Sequence, residues 1–145
     1  MPPPIHHIRT RTHTRTPTSS WADCDGVIWK GDSLIDGVPT VLDMLKKAGK
    51  RIFFVTNNST KSRKGYLGKF NSLGLTDVEA EEIFSSSFAA AAYLEQNNFK
   101  QTGKKVYIIG QVGIEEELDM IGVPWIGGES DAGKCTFPEP SLNLP

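Results

Sequence analysis

Several features are scarce in this sequence, and each absence narrows what the protein can be. The two cysteines, Cys24 and Cys135, stand far apart and lack the spacing of a metal site. A disulfide framework is therefore not expected, and a reducing compartment is the default. No apolar run approaches the length of a membrane span. With 145 residues, the chain is long enough for one domain with a core.

Charge is distributed unevenly along the chain. Residues 1–22 contain no acid but three arginines, five threonines and four prolines. From Asp23 onward, 13 basic residues stand against 17 acidic ones, so we expect neither nucleic acid nor an anionic membrane as a partner. The composition of residues 1–22 predicts an unfolded arm, and it also resembles an organelle transit peptide.

The first motif with chemical content is Asp23-Cys24-Asp25-Gly26. A carboxylate at Asp23 can attack phosphorus, and Asp25, two positions on, can protonate the leaving oxygen and later activate water. Gly26 permits the sharp turn that follows. The alternative interpretation is a surface turn, since Asp and Gly are ordinary turn formers. Cys24, between two acids, is expected to be buried filler with a raised pKa.

Hydrophobic periodicity predicts strands that alternate with helices after this motif. Continuous apolar runs predict strands at 52–55, 83–84, 106–109 and 123–126, whereas apolar residues at helical spacing predict helices at 38–45, 66–73, 88–94 and 114–121. This order predicts an α/β fold built on an incomplete, doubly wound parallel sheet that is covered on both faces. Ligands of such sheets bind at the carboxyl ends of the strands.

A second polar motif, Thr56-Asn57-Asn58-Ser59, follows the strand at 52–55. Its hydroxyl and amide groups could bind phosphate together with the start of the next helix. Alternatively, the motif merely caps that helix. Because Asp23 and Thr56 both follow strands of one parallel sheet, we expect them to lie at the same edge and to form one site.

Together these motifs resemble the haloacid-dehalogenase superfamily. The similar segments are 23–29, 56–63, 83–94 and 106–110, and the likeness covers about residues 23–133. It is strongest to phosphoglycolate phosphatases of the plant and algal type and to the related 4-nitrophenyl and pyridoxal phosphatases. The resemblance implies a phosphatase for small phosphate monoesters, with 2-phosphoglycolate converted to glycolate, in the chloroplast or the cytoplasm.

The resemblance also implies a role for each site residue. Asp23 would be the nucleophile and Asp25 the general acid and base, while Thr56, Asn57 and Asn58 would bind the phosphate. Asp23 and the backbone carbonyl of Asp25 would be ligands of Mg²⁺. Electrostatics independently favours a cation, because a phosphate dianion 4 Å from a carboxylate is repelled by roughly 8 kcal/mol at an effective dielectric near 20.

The same resemblance divides the chain into parts. Residues 1–22 would be the arm, 23–85 a core fragment whose residues 27–35 form a mobile flap, 86–133 the start of an α/β cap domain, and 134–145 a divergent tail. Family members have an apolar strand before the nucleophile, whereas residues 17–22 predict only a weak one. They also continue well past this length and often pair through the cap, so we expect a truncated chain with little activity.

Two other functions remain open from the sequence alone. The chain could be a non-catalytic truncated product, or a phosphate-binding module without turnover. Loss of Asp23 would leave phosphate binding intact in such a module and abolish turnover in an enzyme.

Overall fold

The computed structural model describes residues 19–133, which fold as two adjoining α/β units. The strands are β1 (Ser19–Asp23), β2 (Trp29–Lys30), β3 (Ser33–Leu34), β4 (Arg51–Thr56), β5 (Ile83–Ser85), β6 (Val106–Ile108) and β7 (Trp125–Gly127). The helices are α1 (Val38–Lys47), α2 (Arg63–Ser72), α3 (Ser86–Gln96) and α4 (Val112–Ile121). Every strand and helix predicted from the periodicity corresponds to one of these elements. The predicted α/β class is confirmed.

The first unit is a parallel sheet in the order β1-β4-β5. The chain moves one strand over at each step in the same direction, so right-handed crossovers place α1 and α2 on the same face. The core agrees with this, because Ile52 and Phe54 of β4 pack with Leu42 of α1 and with Tyr66 and Phe70 of α2. The carboxyl ends of β1 and β4 consequently lie side by side above a single aromatic core.

The opposite face of this sheet is more open than the sequence suggested. Phe53 is half-buried, Val55 is 37% exposed and Trp21 is 63% exposed. The aromatic rings on this face form a ladder, in which the Trp21 ring centroid lies 4.8 Å from that of Phe53 and 5.7 Å from that of Phe84. The prediction that residues 52–55 are buried on both faces is therefore wrong. An apolar run shows that a strand is hydrophobic, but it does not show which faces other elements cover.

Strand β1 corrects the predicted arm. Residues 19–22 were expected to be unfolded and to give only a weak strand, but Ser19–Asp23 pairs with β4 along its whole length. Cross-strand contacts stabilise it, since Trp21 packs on Phe53 and Ala22 joins the core. The remainder of the predicted arm, residues 1–18, and the predicted tail at 134–145 lie outside the described residues.

The second unit is smaller and has a core of its own. Strands β6 and β7 pair in parallel, and Ala91, Ile108, Leu118 and Val123 form the buried cluster between them and helices α3 and α4. The boundary at residue 86 and the assignment of 86–133 to a cap stay predictions. Across residues 19–133, none of the helices combines the length and the apolar character that crossing a bilayer requires.

Candidate active site

The two polar motifs meet at the carboxyl edge of the first sheet. Asp23 is the last residue of β1 and Thr56 the last of β4, and in the parallel register Asp23 lies opposite Val55, the residue before Thr56. Parallel strands end at the same edge of a sheet, so the expected meeting of the two motifs is confirmed. Their catalytic and binding roles stay predictions.

Asp25 is held by two hydrogen bonds, one to each carboxylate oxygen. The Thr56 hydroxyl donates to Oδ2 at 3.1 Å, and the Trp29 indole Nε1 donates to Oδ1 at 2.8 Å. Because the two bonds reach different oxygens, they fix both the position and the rotation of the carboxyl group. The second acid of the motif is thus oriented before any substrate arrives.

Trp29 is able to hold Asp25 because it is itself immobilised. Its side chain is fully buried, stacked at 6.4 Å on Tyr66 and in edge contact with Phe70 at 5.0 Å. Lys69 lies 4.6 Å from the ring centroid and also donates to the Gly31 carbonyl at 3.0 Å. The segment predicted as a flap is accordingly a small β2–β3 hairpin whose base is anchored in the core.

The Asp23 side chain is exposed, which its predicted role as a nucleophile requires. Its Oδ1 accepts a hydrogen bond from the Cys24 backbone N–H at 2.9 Å, and the Cys24 carbonyl in turn accepts from Ile28 N at 2.9 Å. Gly26 has a φ of +82°, which a residue with a side chain rarely adopts, so the glycine is required by the turn. The tight turn at Gly26 brings the chain back to Trp29, whose indole N–H donates to Asp25.

The loop after Thr56 is braced by its own polar groups. The Asn58 backbone N–H donates to the Thr56 hydroxyl at 3.2 Å, and the Thr60 N–H donates to Asn58 Oδ1 at 2.9 Å. The Tyr66 hydroxyl donates to the Asn58 carbonyl at 3.1 Å, and the Ser86 hydroxyl to the Asn57 carbonyl at 2.7 Å. The three predicted phosphate ligands therefore form one ordered segment next to Asp25.

The alternative interpretation of this motif as a helix cap is wrong. Helix α2 begins at Arg63, and its N-cap is Ser62, whose hydroxyl accepts from Gly65 N at 3.2 Å. The backbone N–H of Arg63 donates to a carboxylate oxygen of Glu117 at 2.6 Å. The backbone N–H groups of Arg63 and Gly65 therefore already have partners inside the protein, whereas phosphate binding by Thr56, Asn57 and Asn58 stays a prediction.

Cys24 behaves as the sequence suggested. Its side chain is fully buried, and burial, followed by the nearby charges of Asp25 and Asp23, raises the pKa of the thiol to about 12. A thiol with so high a pKa remains protonated at neutral pH and is a poor nucleophile. Cys24 is thus a packing residue on the core side of the motif.

The oxygen donors of the site suit a hard cation. No group of three or more His, Cys, Asp or Glu side chains that could hold a metal occurs within residues 19–133. Mg²⁺ nevertheless needs only one or two carboxylates, because water and substrate phosphate complete its shell. The Asp23 carboxylate and the Asp25 carbonyl are ligands of the right kind, so the residues present fit the ion.

Two contributors to the site were missed from the sequence. Trp29 lies in the motif segment 23–29, but nothing in its sequence position shows that its N–H points to Asp25. Glu117 carried a signal that could have been used: in α4 it shares a face with Ile114, Leu118 and Ile121, and it is only 1% exposed. An acid on an apolar helix face needs a partner, because an unpaired buried charge is costly.

Fold and site together define a parallel α/β protein with paired carboxylates at a strand end, beside hydroxyl and amide groups, as expected of a phosphoryl-transfer enzyme. A model of the haloacid dehalogenase-like hydrolase family matches residues 21–124. The chain belongs to this family of hydrolases, and the resemblance seen in its motifs is confirmed.

Individual relatives agree with this assignment. The chloroplastic phosphoglycolate phosphatase 1A of Arabidopsis thaliana is 63% identical over 109 residues, which are 75% of this chain and 30% of that protein. A solved p-nitrophenyl phosphatase from Archaeoglobus fulgidus is 33% identical with a TM-score of 0.68, over 76% of this chain and 41% of the other.

A glycerol phosphate phosphatase from Mycobacterium tuberculosis, solved in complex with magnesium, is 25% identical with a TM-score of 0.62 over 74% of this chain and 31% of its own. The chain thus spans about a third of the length of the curated relative it matches.

Proposed function

We propose that the site serves a Mg²⁺-dependent phosphatase that hydrolyses small phosphate monoesters, with 2-phosphoglycolate as the substrate and glycolate as the product. The observation that carries the proposal is the immobilised Asp25, bonded through Thr56 to the neighbouring strand and lying two residues from the exposed Asp23. A turn on the protein surface has no need of a buried tryptophan donor to orient its acid.

The proposed reaction has two steps. An oxygen of the Asp23 carboxylate attacks phosphorus and forms an aspartyl phosphate, while the bond to the leaving alcohol breaks and the proton on Asp25 passes to that alcohol's oxygen. Asp25, now ionised, then takes a proton from water as the water oxygen attacks phosphorus. Phosphate leaves, and the carboxylate of Asp23 is regenerated.

Thr56 would contribute differently before and after substrate binds. A hydroxyl has one proton to donate, and the Thr56 hydroxyl gives it to Asp25. When phosphate occupies the site, rotation of this hydroxyl would transfer its donation to a phosphate oxygen, in company with the amides of Asn57 and Asn58. The same rotation would leave Asp25 with Trp29 as its remaining donor.

Magnesium would be held by the Asp23 carboxylate and the backbone carbonyl of Asp25, with phosphate oxygens and water as the other ligands. When bound, it would offset the repulsion between the phosphate dianion and the attacking carboxylate. Support for this ion comes from the relative solved in complex with magnesium and from the hard oxygen donors of the site.

The choice of substrate rests on similarity to named relatives rather than on contacts. The Arabidopsis protein named for phosphoglycolate shares 63% of aligned residues, far above the similarity to the solved structures named for other phosphate esters. The chloroplastic location of that relative also supports the chloroplast over the cytoplasm as the compartment.

Turnover of 2-phosphoglycolate with and without Mg²⁺ tests the proposal, using the chain and its Asp23→Asn variant. Because the chain is expected to have little activity, we expect slow, Mg²⁺-dependent release of phosphate that Asp23→Asn lowers to the uncatalysed rate, since the nucleophile is lost. The matched control is Asp43→Asn, which changes an exposed acid of α1 that pairs with Lys47 and leaves the site untouched.

Two outcomes would contradict the proposal. Phosphate release that persists in Asp23→Asn would show that another group attacks phosphorus. Binding of phosphate without any release, unchanged in Asp23→Asn, would instead indicate a binding module without turnover.

A further inference from the structure

Glu117 is a buried carboxylate that the proposed chemistry does not use. It lies on α4 in the second unit and contacts Arg63, the first residue of α2 in the first unit. Glu117 Oε1 accepts from the Arg63 backbone N–H at 2.6 Å, and the guanidinium Nε lies 3.3 Å from both carboxylate oxygens. The guanidinium also stacks 3.9 Å from the centroid of the Phe88 ring.

Other contacts between the units converge on the same short segment. The Ser87 hydroxyl donates to the Lys61 carbonyl at 2.8 Å, and the Ser62 hydroxyl donates to Glu116. Gly113 packs so closely on the backbone of Lys61 that a Cβ at this position would overlap it. Together with the Ser86 bond to Asn57, these contacts hold residues 57–63 from α3 and α4.

The contacts at the start of α2 affect which backbone N–H groups are available to bind an anion. The start of a helix ordinarily attracts phosphate through its free N–H groups. At α2 the Arg63 N–H is taken by Glu117, whose charge is balanced by the Arg63 guanidinium. The Arg63 N–H is therefore not available to a phosphate, whereas the polar groups of Thr56 and Asn58 stand beside Asp25.

We infer that Glu117 is a positioning residue for phosphate. By capping α2 at Arg63 it fixes the far end of the loop, whose near end is fixed by Thr56 in β4, and so it holds Asn57 and Asn58 where they can bind the anion. The inference rests on the proposed function. With this role for Glu117, phosphate affinity depends on the second unit, because Glu117 lies 54 residues further along the chain than Arg63.

Binding of inorganic phosphate with Mg²⁺, measured by calorimetry on the full chain, tests this role together with amide hydrogen exchange. In Glu117→Gln we expect phosphate affinity to fall about tenfold, as for other residues that orient a ligand-binding group. We also expect exchange of amides 57–62 to rise about tenfold while exchange in β1 and β6 stays unchanged.

Asp119→Asn is the matched control. Asp119 lies two positions along the same helix and borders a cavity with Ser62 and Lys64, but its hydrogen bond, from Trp125 Nε1 at 2.8 Å, stays within the second unit. We expect this variant to change phosphate affinity and loop exchange by less than about twofold. If Glu117→Gln does not fold, Arg63→Lys replaces it in the same two measurements. Lysine keeps the positive charge but lacks the planar guanidinium that contacts both carboxylate oxygens of Glu117.

The outcomes separate this inference from the proposed function. Unchanged affinity and unchanged loop exchange in folded Glu117→Gln would overturn the inference, as would an equal loss in Asp119→Asn. If the unmodified chain binds no phosphate, the proposed function fails on its own, and hydrogen exchange alone then decides whether Glu117 holds the loop. Loss of turnover has no part in either result.

Discussion

The molecule contains two parallel sheets that differ in what stands at their carboxyl ends. In the first, β1 and β4 end in Asp23 and Thr56 above a core that includes Trp29, Phe54 and Phe70. In the second, β6 and β7 end at glycine-rich turns, and the core is small and aliphatic. Polar groups held by a rigid aromatic core thus distinguish the candidate site from the carboxyl edge of the second sheet.

The largest expected effect concerns the two cores. Phe70→Ala removes ring contacts with Phe54 at 4.6 Å and Trp29 at 5.0 Å, and we expect the free energy of unfolding to fall by about 3–5 kcal/mol. Leu118→Ala in the second core should lower the free energy of unfolding by about 2–3 kcal/mol, because fewer packing contacts are removed there. Urea unfolding followed by circular dichroism measures both, and equal losses would contradict the contrast between the cores.

A smaller effect concerns the link from core to site. Trp29→Phe keeps an aromatic ring between Tyr66 and Phe70 but removes the hydrogen bond to Asp25. If Asp25 delivers a proton, turnover of 2-phosphoglycolate should fall roughly tenfold, whereas 4-nitrophenyl phosphate, whose leaving group needs little protonation, should lose much less.

Phe70→Leu controls this comparison, because it disturbs the same cluster and leaves the indole N–H in place. Loss of the two activities in equal proportion by Trp29→Phe would indicate that the tryptophan only packs. If Phe70→Leu also lowered turnover of 2-phosphoglycolate far more than that of 4-nitrophenyl phosphate, the loss in Trp29→Phe would likewise be attributed to packing.

The smallest effect, when taken over one pH unit, concerns the thiol beneath the site. An unfolded cysteine loses its proton near pH 9.0 and Cys24 in the fold near 12, so between these values the unfolded state binds fewer protons. Stability should therefore decrease as pH rises through this window, by up to about 1.4 kcal/mol per pH unit. Burial likewise raises the pKa of the Tyr66 hydroxyl, which adds to the same decline.

Thermal unfolding between pH 8 and 11 measures the decline. Cys24→Ala should make stability less sensitive to pH over this range, and it should leave the remaining decline from Tyr66. Rapid alkylation of Cys24 by iodoacetamide in the folded chain at pH 8 would contradict the raised pKa.

The sequence sufficed for those features that depend on strand order and local pattern. Asp23 and Thr56 could be placed together because parallel strands share an edge, and Cys24 could be placed in the core from its neighbours. Strand β1 was underestimated because its stability comes from pairing with β4 and from the contact of Trp21 with Phe53, which no local pattern records.

The remaining features depend on side-chain direction and on contacts distant in sequence. The indole of Trp29 reaches Asp25 only because the β2–β3 hairpin turns it inward. Glu117 meets Arg63 across 54 residues, and the periodicity of α4 indicates an unusual acid without naming its partner. Tertiary packing decides both, so single-sequence reasoning could at best have marked Glu117 as a residue in need of explanation.

The placement of the three tryptophans gives the chain a set of internal optical probes. Trp21 is 63% exposed on the open sheet face, Trp29 is fully buried against Asp25, and Trp125 is half-buried in the second unit. Their fluorescence should therefore differ in emission wavelength and in access to a dissolved quencher. A change of charge around Asp25 should alter the emission of Trp29, whereas a molecule that binds to the aromatic ladder should alter the emission of Trp21.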